Sequence, residues 1–123
     1  MKREAKFQVK FNHWLKHFLK EIFVFKLPDC GFQNPFDVFS VDSDGKFSAW
    51  ELKQTTTDSL PFSAVVPHQV QALSILNGFV VIKYPKSAEI ISIMTWINES
   101  ETSKRRSLTH SRAKELSTYS IAM

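Results

Sequence analysis

The sequence predicts an α/β fold, a mixed sheet of about five strands flanked by helices. Three observations carry that expectation. First, 123 residues that are 43% hydrophobic, with 11 Phe and only 3 Gly, have the apolar mass for a core. Second, helical periodicity opens the chain and returns past its middle. Third, short β-branched and aromatic runs lie between these helices, bounded by turn residues. A chain of this mass buries about two-thirds of its extended surface, enough for one domain over 1-123.

The elements follow in order. From Ala5 to about Ile22, Phe7, Phe11, Trp14, Leu15, Phe18 and Ile22 recur at steps of three and four, as a helix with one buried face requires. Lys6, Lys10, His13, His17 and Lys20 line another side of that helix. Alone, such a stripe is ordinary solvated surface; beside a nucleic-acid site it would track phosphates. Glu4 falls on the apolar side, either as a first-turn acid favoured by the helix dipole or as a site residue.

Strands are expected over Phe23 to Lys26, Pro35 to Val41 and Lys46 to Gln54, with Asp42-Ser43-Asp44-Gly45 as a hairpin turn. Ser40 to Glu51 also imitates a calcium-binding EF-hand loop, with acids at its third and fifth positions, Gly at the sixth and Glu at the twelfth. Its first position is Ser, and Pro35 before it and Thr55-Thr56-Thr57 after it argue against flanking helices, so the hairpin is preferred. The calcium alternative predicts ion binding without cleavage. Pro61 and Pro67 punctuate a loop, and Pro67 opens a helix through about Asn77, with Leu73 and Leu76 inward and Gly78 as its stop. Gly78 to Tyr84 and Glu89 to Trp96 read as further strands. From about position 99 a basic tail is expected, with one short helix near Ser111 to Leu116.

Charge and composition narrow the function. Up to Lys26 there are seven Lys and Arg against Glu4 and Glu21; from Leu27 to Glu99, four bases against eight acids; beyond, five bases against two acids. Basic ends attract polyanions, and an acidic middle is where a divalent metal would bind. Cys30 has no partner for a disulfide or a zinc finger. No apolar stretch is long enough to span a membrane, and no apolar run follows the basic start, so a cytoplasmic protein without membrane contact is expected. Three scattered glycines leave no phosphate-cradling loop, so no nucleotide cofactor is expected. His13 and His17 have zinc-helix spacing, yet Trp14 follows His13 where a metalloprotease needs Glu.

The chemistry points to Asp37, Glu51 and Lys53. Alternate strand residues share a face, so Glu51 and Lys53 point one way, and a hairpin at Asp44-Gly45 brings Asp37 alongside. Two carboxylates can then hold one divalent ion next to an ammonium, an arrangement suited to phosphodiester hydrolysis. Oxygen ligands favour magnesium, with manganese as a substitute. Taken alone, Glu51-Leu52-Lys53 would be an exposed strand face with an ion pair.

This ordered set resembles the PD-(D/E)xK nuclease superfamily, and within it the RecU-like and archaeal Hjc-like Holliday junction resolvases. The resemblance rests on Glu4 with Phe7-Gln8-Val9-Lys10-Phe11, Pro35-Phe36-Asp37, Glu51-Leu52-Lys53, and Ser59-Leu60-Pro61-Phe62 leading to His68-Gln69-Val70-Gln71-Ala72-Leu73. It implies a restriction-endonuclease-like sheet and a magnesium-dependent endodeoxyribonuclease of DNA recombination and repair. It further implies that Asp37, Glu51 and the Leu52 carbonyl ligate the metal, Lys53 positions the attacking water, and Gln69 and Glu4 reach the site from the two helices. Members typically act as homodimers on branched DNA. Leu27 to Asn34 is too short for the RecU stalk, and the first motif reads Pro-Phe-Asp. Lys6, Lys10, His13, His17, Lys20, Arg105 and Arg106 are the expected DNA contacts. From a different class, a noncatalytic DNA-binding module that keeps the fold is the alternative.

Overall fold

A computed structural model describes residues 3–28 and 34–123, with side chains from position 5 onward. Helix α1 (Arg3–His17) leads to β1 (Phe23–Lys26), β2 (Val38–Val41) and β3 (Phe47–Gln54). Then come β4 (Ser59–Pro61), a 3-10 turn, α2 (Pro67–Leu76), β5 (Phe79–Lys83) and β6 (Ser87–Ser92). The chain closes with α3 (Ile93–Thr102), β7 (Ser107–Thr109), α4 (His110–Leu116) and β8 (Tyr119–Ala122). The main sheet is ordered β1-β2-β3-β5-β6-β8, and β4 pairs with β7 in a ribbon of two strands. Its β3–β5 pair is parallel and its other neighbours are antiparallel.

Strand alternation sends side chains to two cores. Phe7, Phe11 and Leu15 of α1 are buried with Val38, Trp50, Val81 and Ile90 on one side of the sheet. Ala49, Val80, Ile82 and Ile91 point the other way, toward Leu73 of α2, Trp96 of α3 and Ala113 of α4. Each large side chain fully withdrawn from water contributes about 1.5–3 kcal/mol, so α1 is held chiefly by its three buried apolar residues. Gly78 allows α2 to approach the sheet: a Cβ there would lie 2.6 Å from Leu73 Cδ2 and 2.9 Å from the Ala49 carbonyl oxygen.

Several expectations are corrected. Helix α1 ends at His17, not near Ile22, because the backbone turns left-handed at Lys20 (φ 59°), leaving Phe18 and Ile22 exposed. Lys20 therefore leaves the helical stripe. Leu76 is exposed, and α2 stops through Asn77 in the left-handed region, one residue before Gly78. The strand expected over Glu89 to Trp96 ends at Ser92, whose side chain accepts from the Thr95 amide and starts α3. The tail is folded throughout: β8 adds a sixth strand by pairing with β6, and α4 buries Ala113. Cys30 and Phe32 lie outside the described residues.

The hairpin expectation holds. Asp42 Oδ1 accepts from the amides of Asp44 and Lys46, both at 2.9 Å, and Gly45 takes φ 81°. This is the compact chemistry of an Asx turn between antiparallel strands. Asp42 thus spends one carboxylate oxygen on its own backbone, and the segment is not an EF-hand loop.

Candidate active site

Strand β3 carries Glu51 and Lys53 on the face shared with α2, while Leu52 turns toward α1. Strand β2 begins at Val38, so Asp37 lies where the β2–β3 pair opens: its amide donates to the Trp50 carbonyl at 3.1 Å. Its carboxylate oxygen Oδ2 then accepts from the Leu52 amide at 2.8 Å. Amide and carbonyl of one strand residue point to the same side, so the Leu52 carbonyl is directed toward the same opening.

Glu51 is 2% exposed. Its Oε2 receives Lys53 Nζ at 3.1 Å and Gln69 Nε2 at 3.1 Å. Its Oε1 is buried and has no hydrogen-bond partner. Burial first, and the Asp37 carboxylate second, push the Glu51 pKa up to about 8 against the pull of Lys53. Carboxylates forced together out of water favour either a retained proton or a cation. Gln69 is fixed from its other end, because its Oε1 accepts from the Val66 amide at 3.3 Å at the start of α2.

The structure brings Asp37, Glu51, Lys53 and Gln69 together. Glu4 belongs to α1, but its side chain lies outside the described residues. Among the described residues no three His, Cys, Asp or Glu side chains gather as a metal cluster. The donor set at this opening is two carboxylates and a backbone carbonyl. These hard oxygens, one of them buried without a partner, fit a magnesium-type ion.

The expected DNA contacts are split. Lys6, Lys10, His13 and His17 are exposed on α1, and the two imidazoles stack at 4.0 Å. Arg105 and Arg106 are exposed ahead of β7, on the opposite side of the sheet from α1, so the two basic groups are not one stripe. Sequence reasoning missed Lys83, at the end of β5. Burial and the nearby Lys10 lower its ammonium pKa, and it donates to the Tyr84 and Pro85 carbonyls.

It also missed a second buried polar group. Glu89 on β6 is fully buried, and its Oε2 accepts from the Ser87 hydroxyl and meets His110 Nε2 at 3.1 Å. The His110 ring stacks on Tyr84 at 4.4 Å, whose hydroxyl donates to the Leu108 carbonyl at 2.9 Å. No local pattern announces a pair 21 residues apart. Ser87 and Glu89 alternating on one strand were the available signal.

Strand order and helix placement together define a restriction-endonuclease-like α/β fold, a six-stranded mixed sheet flanked by four helices. Among solved structures, the chain is similar to Archaeoglobus fulgidus Hjc, a Holliday junction resolvase from an archaeal hyperthermophile. The TM-score is 0.60 at 13% identity, covering 92% of each chain. The fold is therefore similar to that of this Hjc. No protein-family profile matches the chain, and no curated protein matches its sequence. Among the described residues no helix is long and apolar enough to cross a membrane.

Proposed function

We propose that this protein is a metal-dependent endodeoxyribonuclease that hydrolyses phosphodiesters of branched DNA, Holliday junctions included, and that it acts as a homodimer with magnesium or manganese. The observation that supports this most is Glu51: a buried carboxylate with one unpartnered oxygen, set beside Asp37 at the mouth of two separating strands. A fold needs no such pair of like charges for its own stability.

In this reading Asp37, Glu51 and the Leu52 carbonyl would hold the ion, which would supply Lewis-acid polarisation of a phosphoryl oxygen and a better water nucleophile near neutral pH. Gln69 holds Glu51 Oε2 and leaves Oε1 available to such an ion. Lys53, partly exposed and tied to Glu51, orients the attacking water and offsets charge developing on the phosphate. By the resemblance, Glu4 would take part through a water. Lys6, Lys10, His13, His17, Arg105 and Arg106 bind the DNA backbone.

The test is a nicking assay on four-way junction, flap, single-stranded and linear duplex DNA with magnesium. The wild type is expected to nick the branched substrates, and Asp37→Asn to bind but not cut. A wild type that binds DNA and cuts none of these, with either metal, is a noncatalytic DNA-binding module.

A further inference from the structure

The first three strands leave part of the sheet face uncovered. Phe23 and Phe25 on β1 lie opposite Val41 and Phe39 on β2, which lie opposite Phe47 and Ala49 on β3. Residues directly opposite in a ladder project on one face, so these rings share the face of Glu51 and Lys53. They form an unbroken series. Ring centroids are 6.1 Å apart from Phe23 to Phe25, 5.2 Å from Phe25 to Phe39 and 5.4 Å from Phe39 to Phe47, each pair within 25° of parallel. Phe36, the residue before Asp37, is buried and meets Phe47 edge-on, at 6.2 Å and 75°. Phe23, Phe25 and Phe47 remain 54%, 48% and 40% exposed. A run of half-exposed aromatic rings marks a surface that something covers.

We propose that this phenylalanine ladder stacks unpaired DNA bases, so that the preferred substrate carries single-stranded nucleotides beside the scissile phosphate. The substrate assignment rests on the nuclease reading above; the stacking itself does not. Continuity with the proposed site favours this occupant. The ladder ends at Phe47, which stands on the same face of β3 as Glu51 and precedes it by four residues, about 13 Å. That is the length of about four stacked nucleotides. Of the two turn acids, Asp42 engages the amides of Asp44 and Lys46, and Asp44 lies at the exposed tip. Aromatic rings on adjacent antiparallel strands suit single strands because every base has a π face.

The experiment uses the full chain without divalent cation, so that binding is read without cleavage. The probes are a duplex with a single-stranded flap bearing 2-aminopurine and a fully paired duplex of equal length. Wild type should prefer the flap and quench the 2-aminopurine. Phe25→Ser and Phe47→Ser should each weaken flap binding about tenfold with duplex binding unchanged, and Phe47→Trp should retain it. Unchanged flap binding in both serine variants, with their melting midpoints preserved, overturns the proposal. So does a wild-type dimer that Phe25→Ser dissociates without altering flap preference, because a second copy then covers this face. Flap stacking in a protein that never cuts with magnesium would sink the nuclease reading alone; a wild type that binds neither probe would sink both.

Discussion

Glu51 on β3 and Glu89 on β6 stand on the same face of one sheet, both withdrawn from water, and their neighbours differ in kind. Glu51 meets a second carboxylate, Asp37, where two strands part. Glu89 meets a hydroxyl and an imidazole, Ser87 and His110, and is roofed by the segment that carries β7 and α4. Each leaves its Oε1 without a hydrogen-bond partner, so an orphaned oxygen alone does not separate them. The like charge does. At Glu51 the fold adds a second carboxylate to one already paired with Lys53 and Gln69, an excess of like charge that a proton or a further cation relieves; at Glu89 the neighbours are a hydroxyl and an imidazole, with no second carboxylate. The first arrangement is suited to binding, the second to holding the C-terminal segment against the sheet.

The comparison can be broken most sharply through activity. Glu51→Gln or Asp37→Asn should cut branched DNA about a thousandfold more slowly or worse, since an ion supplies several kcal/mol to such a transition state. Binding of the same DNA should change by no more than a few-fold. Comparable nicking in either variant would return both glutamates to structural roles. Next in size, His110→Ala leaves buried Glu89 with the Ser87 hydroxyl alone and should cost about 1–3 kcal/mol in denaturant unfolding. An unfolding midpoint equal to wild type would remove the contrast from the other side.

A pH series sharpens it further. Between pH 4.5 and about 8, folded Glu51 keeps a proton that the unfolded chain has lost. The folded state therefore binds more protons, and stability without divalent cation should decline as pH rises through that window. Glu51→Gln should flatten the decline. Magnesium should raise the melting temperature more at pH 8 than at pH 6, because it replaces the proton; at a hundred times its dissociation constant it adds about 2.7 kcal/mol. Equal magnesium stabilisation at both pH values would contradict this. The smallest effect belongs to the exposed helix: Lys6→Ala and Lys10→Ala should each reduce the salt slope of DNA binding by about one unit, while Lys20→Ala, outside the helix, should not.

The grouping of Asp37, Glu51 and Lys53 was legible because it rests on rules of short range: period-two alternation aligns Glu51 with Lys53, and an Asx turn folds the hairpin. Gln69 was expected there only through the family resemblance, since its contact spans 18 residues. What was hidden depends on partners distant in sequence. Ile93 to Trp96 is apolar enough to read as strand, and the capping signal Ser92 with Thr95 was the local cue for α3. Tyr119 and Ile121 alternate as strand residues, yet only pairing with β6 makes them one. No glycine marks the left-handed turn at Lys20, which is why the first helix was read one turn too long. The Phe-rich strands read as core, and exposure on β1 became visible only once α2, α3 and α4 were seen to cover the other end of the face.

The central claim is that Asp37 and Glu51 together hold one divalent ion. Electron paramagnetic resonance of manganese titrated into the protein at pH 8 reads this without any substrate. One ion bound per chain in the wild type, lost in both Asp37→Asn and Glu51→Gln and kept in His110→Gln, is the expected result. No bound manganese in the wild type, or equal binding in the two carboxylate variants, would contradict it.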